Sequence, residues 1–254
     1  METLERIEFE NQREDIKEHV TEYWSKRAPS FFELRKEELS SYKADLWRDE
    51  LDDALKIVGA KNLRVLDVGC GAGFFEVLLA QKQYRVTGID LTKEMVDETM
   101  LMIKKYGLSS LANAVQMDAE SLTFDDETFD LVISRNLTWT LPHPEKAYRE
   151  WHRVLKKGGL LLNFDAEYAK GAHHFKDDQN IAHADISREL KDECHQIYHM
   201  LTISSLKRPE WDVPLLEKIG FTKIETDTNF GDRVYAIQDR FYMPERMFKI
   251  TAIK

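Results

Sequence analysis

Along the first sixty residues, apolar side chains recur at helical spacing. Ile16, Val20, Tyr23, Trp24 and Arg27 fall at i, i+4, i+7, i+8 and i+11, one face of a helix. Pro29 is expected to interrupt it, and a second helical pattern runs from about 31 to 58, before Gly59. The period then changes. Leu63-Arg64-Val65-Leu66-Asp67-Val68 is a short, β-branched apolar run ending in glycines and reads as a buried strand. A helix over Phe74 to Gln83, a strand over Tyr84 to Ile89, a helix over about 93 to 106, and strands over Asn113 to Met117 and Phe129 to Ser134 follow. Pro144 suits a first helical position, and Ala147, Tyr148, Trp151, Val154 and Leu155 form the buried stripe of the helix it opens. Gly158-Gly159 ends that unit, and Leu160 to Phe164 is a fifth strand. Strands alternating with helices at this spacing imply an α/β fold with a parallel sheet covered on both faces.

After the fifth strand the alternation breaks. Ile186, Leu190, Cys194, Ile197, Tyr198 and Leu201 mark a helical stripe within 166–210, too long for an ordinary connection of about 2–6 residues. It reads as a helical insertion over the carboxyl edge of the sheet. A helix over Trp211 to Ile219 stops at Gly220. Phe221 to Thr226 and Met247 to Ile253 read as closing strands, an antiparallel pair, and Val234 to Ile237 as a short strand between them. The expected organisation is a helical arm at 1–60, a core at 61–165, a cap at 166–210, and 211–254 completing the sheet of a single domain.

The first strand-to-helix turn carries the most chemistry. Gly69, Gly71 and Gly73 allow positive φ and close approach of a ligand to the backbone, with Cys70 between the first two. The following helix aims free N–H groups at whatever sits there, in the crevice where an open parallel sheet reverses its strand order. A dinucleotide fingerprint needs Gly or Ala at the position of Phe74, and a phosphate-binding loop needs Gly-Lys-Ser/Thr; both are missing. An acid, Asp67, stands at the strand end instead. A carboxylate there repels a pyrophosphate and attracts an ammonium or sulfonium group, so the turn favours a cationic nucleoside.

Val65-Leu66-Asp67-Val68-Gly69-Cys70-Gly71-Ala72-Gly73 resembles the first motif of class I S-adenosylmethionine-dependent methyltransferases. Supporting segments recur in order: Tyr84 to Asp90, Gln116 to Glu120, Phe129 to Asn136, and Val154 to Leu160. The resemblance covers 63–165, and Tyr23-Trp24 with Arg27 is similar to an N-terminal element of small-molecule members. It implies a doubly wound, Rossmann-like sheet of seven strands and S-adenosylmethionine as cofactor. Asp67 and the glycine turn would then hold the methionyl ammonium. Asp90, 21 residues after Gly69, would accept from ribose hydroxyls. Asp118 would accept from the adenine amino group, with the Ala119 amide donating to a ring nitrogen and Glu120 beside them. Leu91 and Met95 would flank the adenine, and Arg135 and Asn136 would sit where methionyl carboxylate and acceptor meet. Tyr23 and Arg27 would close over the cofactor. Arg135 equally suits an ion pair with a core carboxylate, and the arm residues equally suit plain packing.

The acceptor is less legible. A sulfonium methyl is already activated, so holding the nucleophile in line and excluding water supplies much of the rate. An acceptor bearing a proton also needs a base. His173 and His174, past the fifth strand, are the leading candidates, with His143 and Asp165 beside them. His173, His174, His183, His195 and His199 lack a standard ligand pattern, so no metal is expected. The loop Ser134-Arg135-Asn136-Leu137-Thr138-Trp139 lacks the Asn/Asp-Pro-Pro-Tyr/Phe pattern of enzymes that methylate DNA amino groups, and neither Cys70 nor Cys194 follows a proline. Trp139, Tyr168, Phe175, Tyr198 and Trp211 suit the wall of a small-molecule pocket or ordinary core.

Composition narrows the partners. The 254 residues carry a net charge of −10, which disfavours nucleic acid, and 43% apolar content suits a globular chain. No apolar run approaches the about 18 residues needed to span a bilayer, and Met1-Glu2-Thr3-Leu4-Glu5 contains no secretion core. The expectation is a cytoplasmic monomer or homodimer, without membrane or nucleic-acid partners, that methylates a small molecule. A module that binds S-adenosylmethionine without transferring the methyl group stays open as the alternative.

Overall fold

The computed structural model describes residues 2–59, 62–168, 181–183 and 186–254. Strands β1 (Arg64–Val68), β2 (Arg85–Asp90), β3 (Ala112–Gln116), β4 (Phe129–Arg135), β5 (Leu155–Ala166), β6 (Thr222–Asp227) and β7 (Met247–Ile253) form a seven-stranded sheet in the order β3-β2-β1-β4-β5-β7-β6. β7 runs antiparallel to both neighbours, and the other pairings are parallel. The doubly wound sheet and its closing antiparallel pair are as the spacing predicts. Strand order reverses between β1 and β4, which opens a crevice beyond their carboxyl ends.

The near-continuous apolar runs follow from burial on both faces. Val65, Leu131, Ile133, Leu160 and Leu162 face one helical layer, while Leu66, Val132, Leu161, Phe248 and Ile250 face the other. The first layer contains α2 (Lys43–Val58), α3 (Phe74–Gln81) and α8 (Phe230–Val234); the second contains α5 (Pro144–Val154) and α7 (Asp212–Ile219). Trp47 anchors the first layer. It is fully buried, with ring centroids of Phe75, Phe164 and Phe230 5.4, 5.0 and 5.1 Å away.

The arm, α1 (Glu2–Leu39), differs from expectation because it runs straight through Pro29. An internal proline removes one helix hydrogen bond and costs about 3 kcal/mol. Burial of Ala28, Phe32 and Leu34 beside it offsets that cost, and the Ser30 hydroxyl donates to the Arg27 carbonyl at 3.0 Å. The break comes at Ser40 and Ser41 instead, whose hydroxyls donate to the carbonyls of Lys36 and Glu38 at 2.9 and 2.8 Å.

Two other expectations are corrected. Val234 to Ile237 contains no strand; Phe230 and Val234, four apart, are buried on one side of α8, and Lys43 Nζ donates to the Val234 carbonyl at 2.8 Å. Gly158-Gly159 does not precede β5 but lies within it, in an irregular stretch where the β4 register jumps between Phe129–Leu155 and Leu131–Leu160. The cap helix α6 (Arg188–Met200) packs on the arm through Ile197 and Leu201, which meet Ile16, Val20 and Tyr23, while its Cys194 and Tyr198 pack against the core cluster of the first layer.

Candidate cofactor and acceptor site

A cavity of about 220 Å³ lies beyond the carboxyl ends of β1, β2 and β4, roofed by α1 and α6. The glycine turn forms its floor. Gly69 and Gly71 have φ of 71° and 55°, and a Cβ on Gly71 would lie 3.0 Å from the Phe31 ring. The turn is held from two sides. The Gly69 and Cys70 amides donate to the Ile89 carbonyl at 2.8 and 2.9 Å, and Thr99 of α4 (Lys93–Lys105) donates to the Gly71 carbonyl at 2.7 Å.

Asp67 and Asp90 line this floor, and Glu76 of α3 is buried next to Asp67. Asp90 accepts from the amides of Gly71 and Thr92 at 3.1 and 2.9 Å, and burial nevertheless pushes it up to about 6. No donor from the rest of the chain meets Asp67 Oδ1 or either Glu76 oxygen, which leaves the two carboxyls only a proton shared between them. Burial raises both carboxyls, and the negative charge of Asp67 raises Glu76 further. The donor set therefore fits a cation carrying N–H and O–H donors, such as the ammonium and ribose of S-adenosylmethionine, and disfavours a pyrophosphate. A methyl group on Gly88 would lie 2.3 Å from Glu76 Oε1 and 2.9 Å from Cys70 Cβ. Gly88→Ala is expected to displace both and cost about 1–3 kcal/mol, read as a lower urea midpoint with unchanged slope.

At the other end of the floor, Asp118 Oδ1 accepts from the Glu120 amide at 2.8 Å, and its Oδ2 accepts from Lys17 Nζ at 2.6 Å. Lys17 also reaches Glu120 Oε2 at 2.6 Å, so the arm is clasped to both acids. Asp118, Ala119, Leu91 and Met95 line the cavity as the resemblance implies. Glu120 does not line it; its Oε1 takes the His143 amide at 2.6 Å, so its visible work is holding the loop before α5. Gly73 and Arg27 also lie outside the lining, Gly73 as the cap residue of α3 and Arg27 buried beside Ser30.

The opposite end of the cavity is built around a charge cluster, whose Arg35, Glu38 and Tyr235 the sequence did not single out. Arg135 Nη2 donates to Glu38 Oε1 at 2.9 Å and to the Tyr235 hydroxyl, and its guanidinium lies over Trp47 and Phe74, 4.4 and 4.6 Å from the ring centroids. Arg35 pairs with the other Glu38 oxygen. Burial alone would raise the Glu38 carboxyl, but the two guanidinium groups outweigh it and hold it down to about 2. The ion-pair reading of Arg135 is thus realised, yet its Nε and Nη1 are buried without partners in a residue that lines the cavity. Asn136, at φ 58°, accepts from the Tyr168 hydroxyl at 2.7 Å. Trp139, Tyr168, Tyr198 and Tyr23 line the cavity; Trp211 packs in the core instead.

The candidate bases fare differently. His173, His174 and Phe175 lie outside the described residues. Asp165 does not face the cavity: it accepts from Arg208 at 2.6 Å and from the Trp139 amide at 3.0 Å, in a buried network with Asp212 and Tyr148. His143 caps α5 with its ring 3.4 Å from Glu145. His195 lines the cavity, and Glu245, unremarked in the sequence, does too.

Residues 66–163 match the family described as the methyltransferase domain. The chain is 40% identical over 105 residues to a phosphatidylethanolamine N-methyltransferase of Cereibacter sphaeroides, covering 41% of this chain and 51% of that one. It is 34% identical over 119 residues to a ubiquinone/menaquinone biosynthesis C-methyltransferase of Bartonella quintana, covering 46% of each. Its fold is similar to that of phosphoethanolamine N-methyltransferase 2 of Haemonchus contortus in complex with S-adenosyl-L-methionine, with a TM-score of 0.56, 19% identity, and 81% and 52% of the two chains covered. The chain spans about half the length of each of these relatives.

Proposed function

We propose, from the class I methyltransferase domain that residues 66–163 carry, that this chain moves a methyl group from S-adenosylmethionine to a small-molecule acceptor. The observation that carries the reading is the buried Asp67 carboxyl beside the glycine turn, where no N–H donor meets its Oδ1 and where the motif would place a cation. When bound, S-adenosylmethionine supplies an activated sulfonium methyl. The residues of the chain position and enclose it. Asp67 would hold the ammonium, Asp90 the ribose, and Asp118 with the Ala119 amide the adenine edge. Leu91 and Met95 would cover the ring faces. The unpartnered nitrogens of Arg135 suit a carboxylate, that of the cofactor or of the acceptor.

On this reading 1–60 serves as the lid, 61–165 as the cofactor core, 166–210 as the cap and 211–254 as the completion of the sheet. The relatives place methyl groups on nitrogen and on carbon, so their names leave the accepting atom open. The net charge of −10 supports a small molecule over nucleic acid, and no described helix is long and apolar enough to cross a membrane. We place the activity in the cytoplasm, in a monomer or homodimer.

Incubation of the chain with methyl-labelled donor and metabolite extract, followed by mass spectrometry, tests the proposal. Labelled product is expected; tight S-adenosylmethionine binding with no labelled product in any extract would favour the binding-module alternative. The Lys17 clasp makes its own prediction. Two partly exposed ion pairs together contribute about 1 kcal/mol, so Lys17→Met is expected to release bound S-adenosylhomocysteine about fivefold faster in stopped-flow displacement.

A further inference from the structure

Glu245 sits on the segment before β7 and lines the cavity with Met243 and Pro244. Its Oε2 is buried and has no hydrogen-bond partner among the described residues. The neighbouring hydroxyls are engaged elsewhere. Tyr168 donates to Asn136, and the hydroxyls of Tyr198 and Tyr23 face the Cys194 sulfur. The same cavity carries a wall of rings: Trp139 lies 5.4 Å from Tyr168 and 5.0 Å from Tyr198, centroid to centroid. Arg35 and Arg135 are tied to Glu38, and no described cation forms an ion pair with Glu245.

Glu245 is half-buried as a residue, but leaving its Oε2 buried without a partner is costly, and a cation relieves that cost. Aromatic faces attract an ammonium further, by about 0.5–2 kcal/mol. We propose that Glu245 and the ring wall of Trp139, Tyr168 and Tyr198 receive the acceptor as an ammonium, so that the acceptor is an amine methylated on nitrogen. This deepens the methyltransferase reading and rests on it. Burial pushes the Glu245 carboxyl up to about 7, which lets the same group take up and release a proton near neutrality. The ammonium gives one proton to Glu245. The freed nitrogen lone pair then forms the bond to the methyl carbon as the carbon–sulfur bond breaks, its electron pair staying on sulfur. The product leaves as a methylammonium, and water takes the proton from Glu245.

The test uses the full chain loaded with S-adenosylhomocysteine, titrated calorimetrically with benzylamine and phenethylamine and with the alcohols of the same shape. The amines are expected to bind at least tenfold more tightly than the alcohols. Glu245→Gln should remove that preference while leaving S-adenosylhomocysteine affinity unchanged and the melting temperature no lower, and Glu245→Asp should restore part of it. Amines that bind no better than alcohols, or not at all, or a preference that survives Glu245→Gln, would overturn the assignment. Failure to take up S-adenosylhomocysteine would instead overturn the methyltransferase reading, and the amine assignment with it.

Discussion

Replacing Asp67 with asparagine is expected to weaken S-adenosylmethionine binding by about 30–100-fold, the value of a buried hydrogen bond to a charged group, about 2–3 kcal/mol. The substitution preserves shape, so its effect isolates charge. In the ligand-free chain, burial and the nearby charge of Asp90 favour the protonated Asp67 carboxyl. A cationic ligand favours the ionised one. The free chain therefore holds more protons than the complex, and affinity rises with pH from the ordinary carboxylate range upward. For the stability of the free chain, linkage gives the opposite sign. Asp67 and Glu76 are raised in the folded state, so their contribution is fully present below their unfolded values and is lost as pH rises through the folded ones. Stabilisation by the ligand should grow over that same interval. Calorimetry in two buffers of different ionisation enthalpy will read the released proton directly. Affinity independent of pH, or full affinity in Asp67→Asn, contradicts this placement. Asp90→Ala should show a comparable loss, because it removes both a ribose acceptor and the group that ties Gly71 to Thr92.

The second large effect concerns stability. Glu38→Ala is expected to cost about 3–5 kcal/mol, since it leaves Arg35 and Arg135 buried beside each other without their shared counter-charge. The urea midpoint reads the loss. A carboxyl held down to about 2 contributes stability that is present above its unfolded value near 4.5 and is lost as pH falls toward 2. The unmodified chain should therefore lose stability steeply across that interval, and the variant less so. Replacing Glu38, Arg35 and Arg135 together with apolar residues should recover much of the stability while abolishing the polar end of the cavity. A midpoint unmoved by Glu38→Ala would show that the cluster carries little.

The glycine-turn end of the cavity was legible in the sequence because its groups lie in short motifs at strand ends, where local spacing fixes their place. Asp67, Gly69, Cys70, Gly71, Asp90, Leu91, Met95, Asp118 and Ala119 all line the cavity. Glu120 shared the motif but its side chain turns to Lys17 and the His143 amide, a choice set by a helix a hundred residues earlier in the chain. The opposite end of the cavity was not legible for the same reason on a larger scale. Arg35, Glu38, Arg135, Tyr235 and Glu245 come from separate elements, and only the packed fold brings them together. Pro29 misled because local propensity weighs about 3 kcal/mol against burial spread over the whole arm. Asp165 misled because a strand-end acid beside the crevice can turn inward when an arginine from the cap segment, Arg208, meets it.

The unbroken arm has a mechanical consequence. Lys17 anchors one end of this helix to Asp118 and Glu120, and Arg35 and Glu38, about 30 Å farther along it, anchor the other end to Arg135. On the proposed function, loosening either anchor is therefore expected to change donor and acceptor affinity together, because both ends of the crevice share one continuous strut.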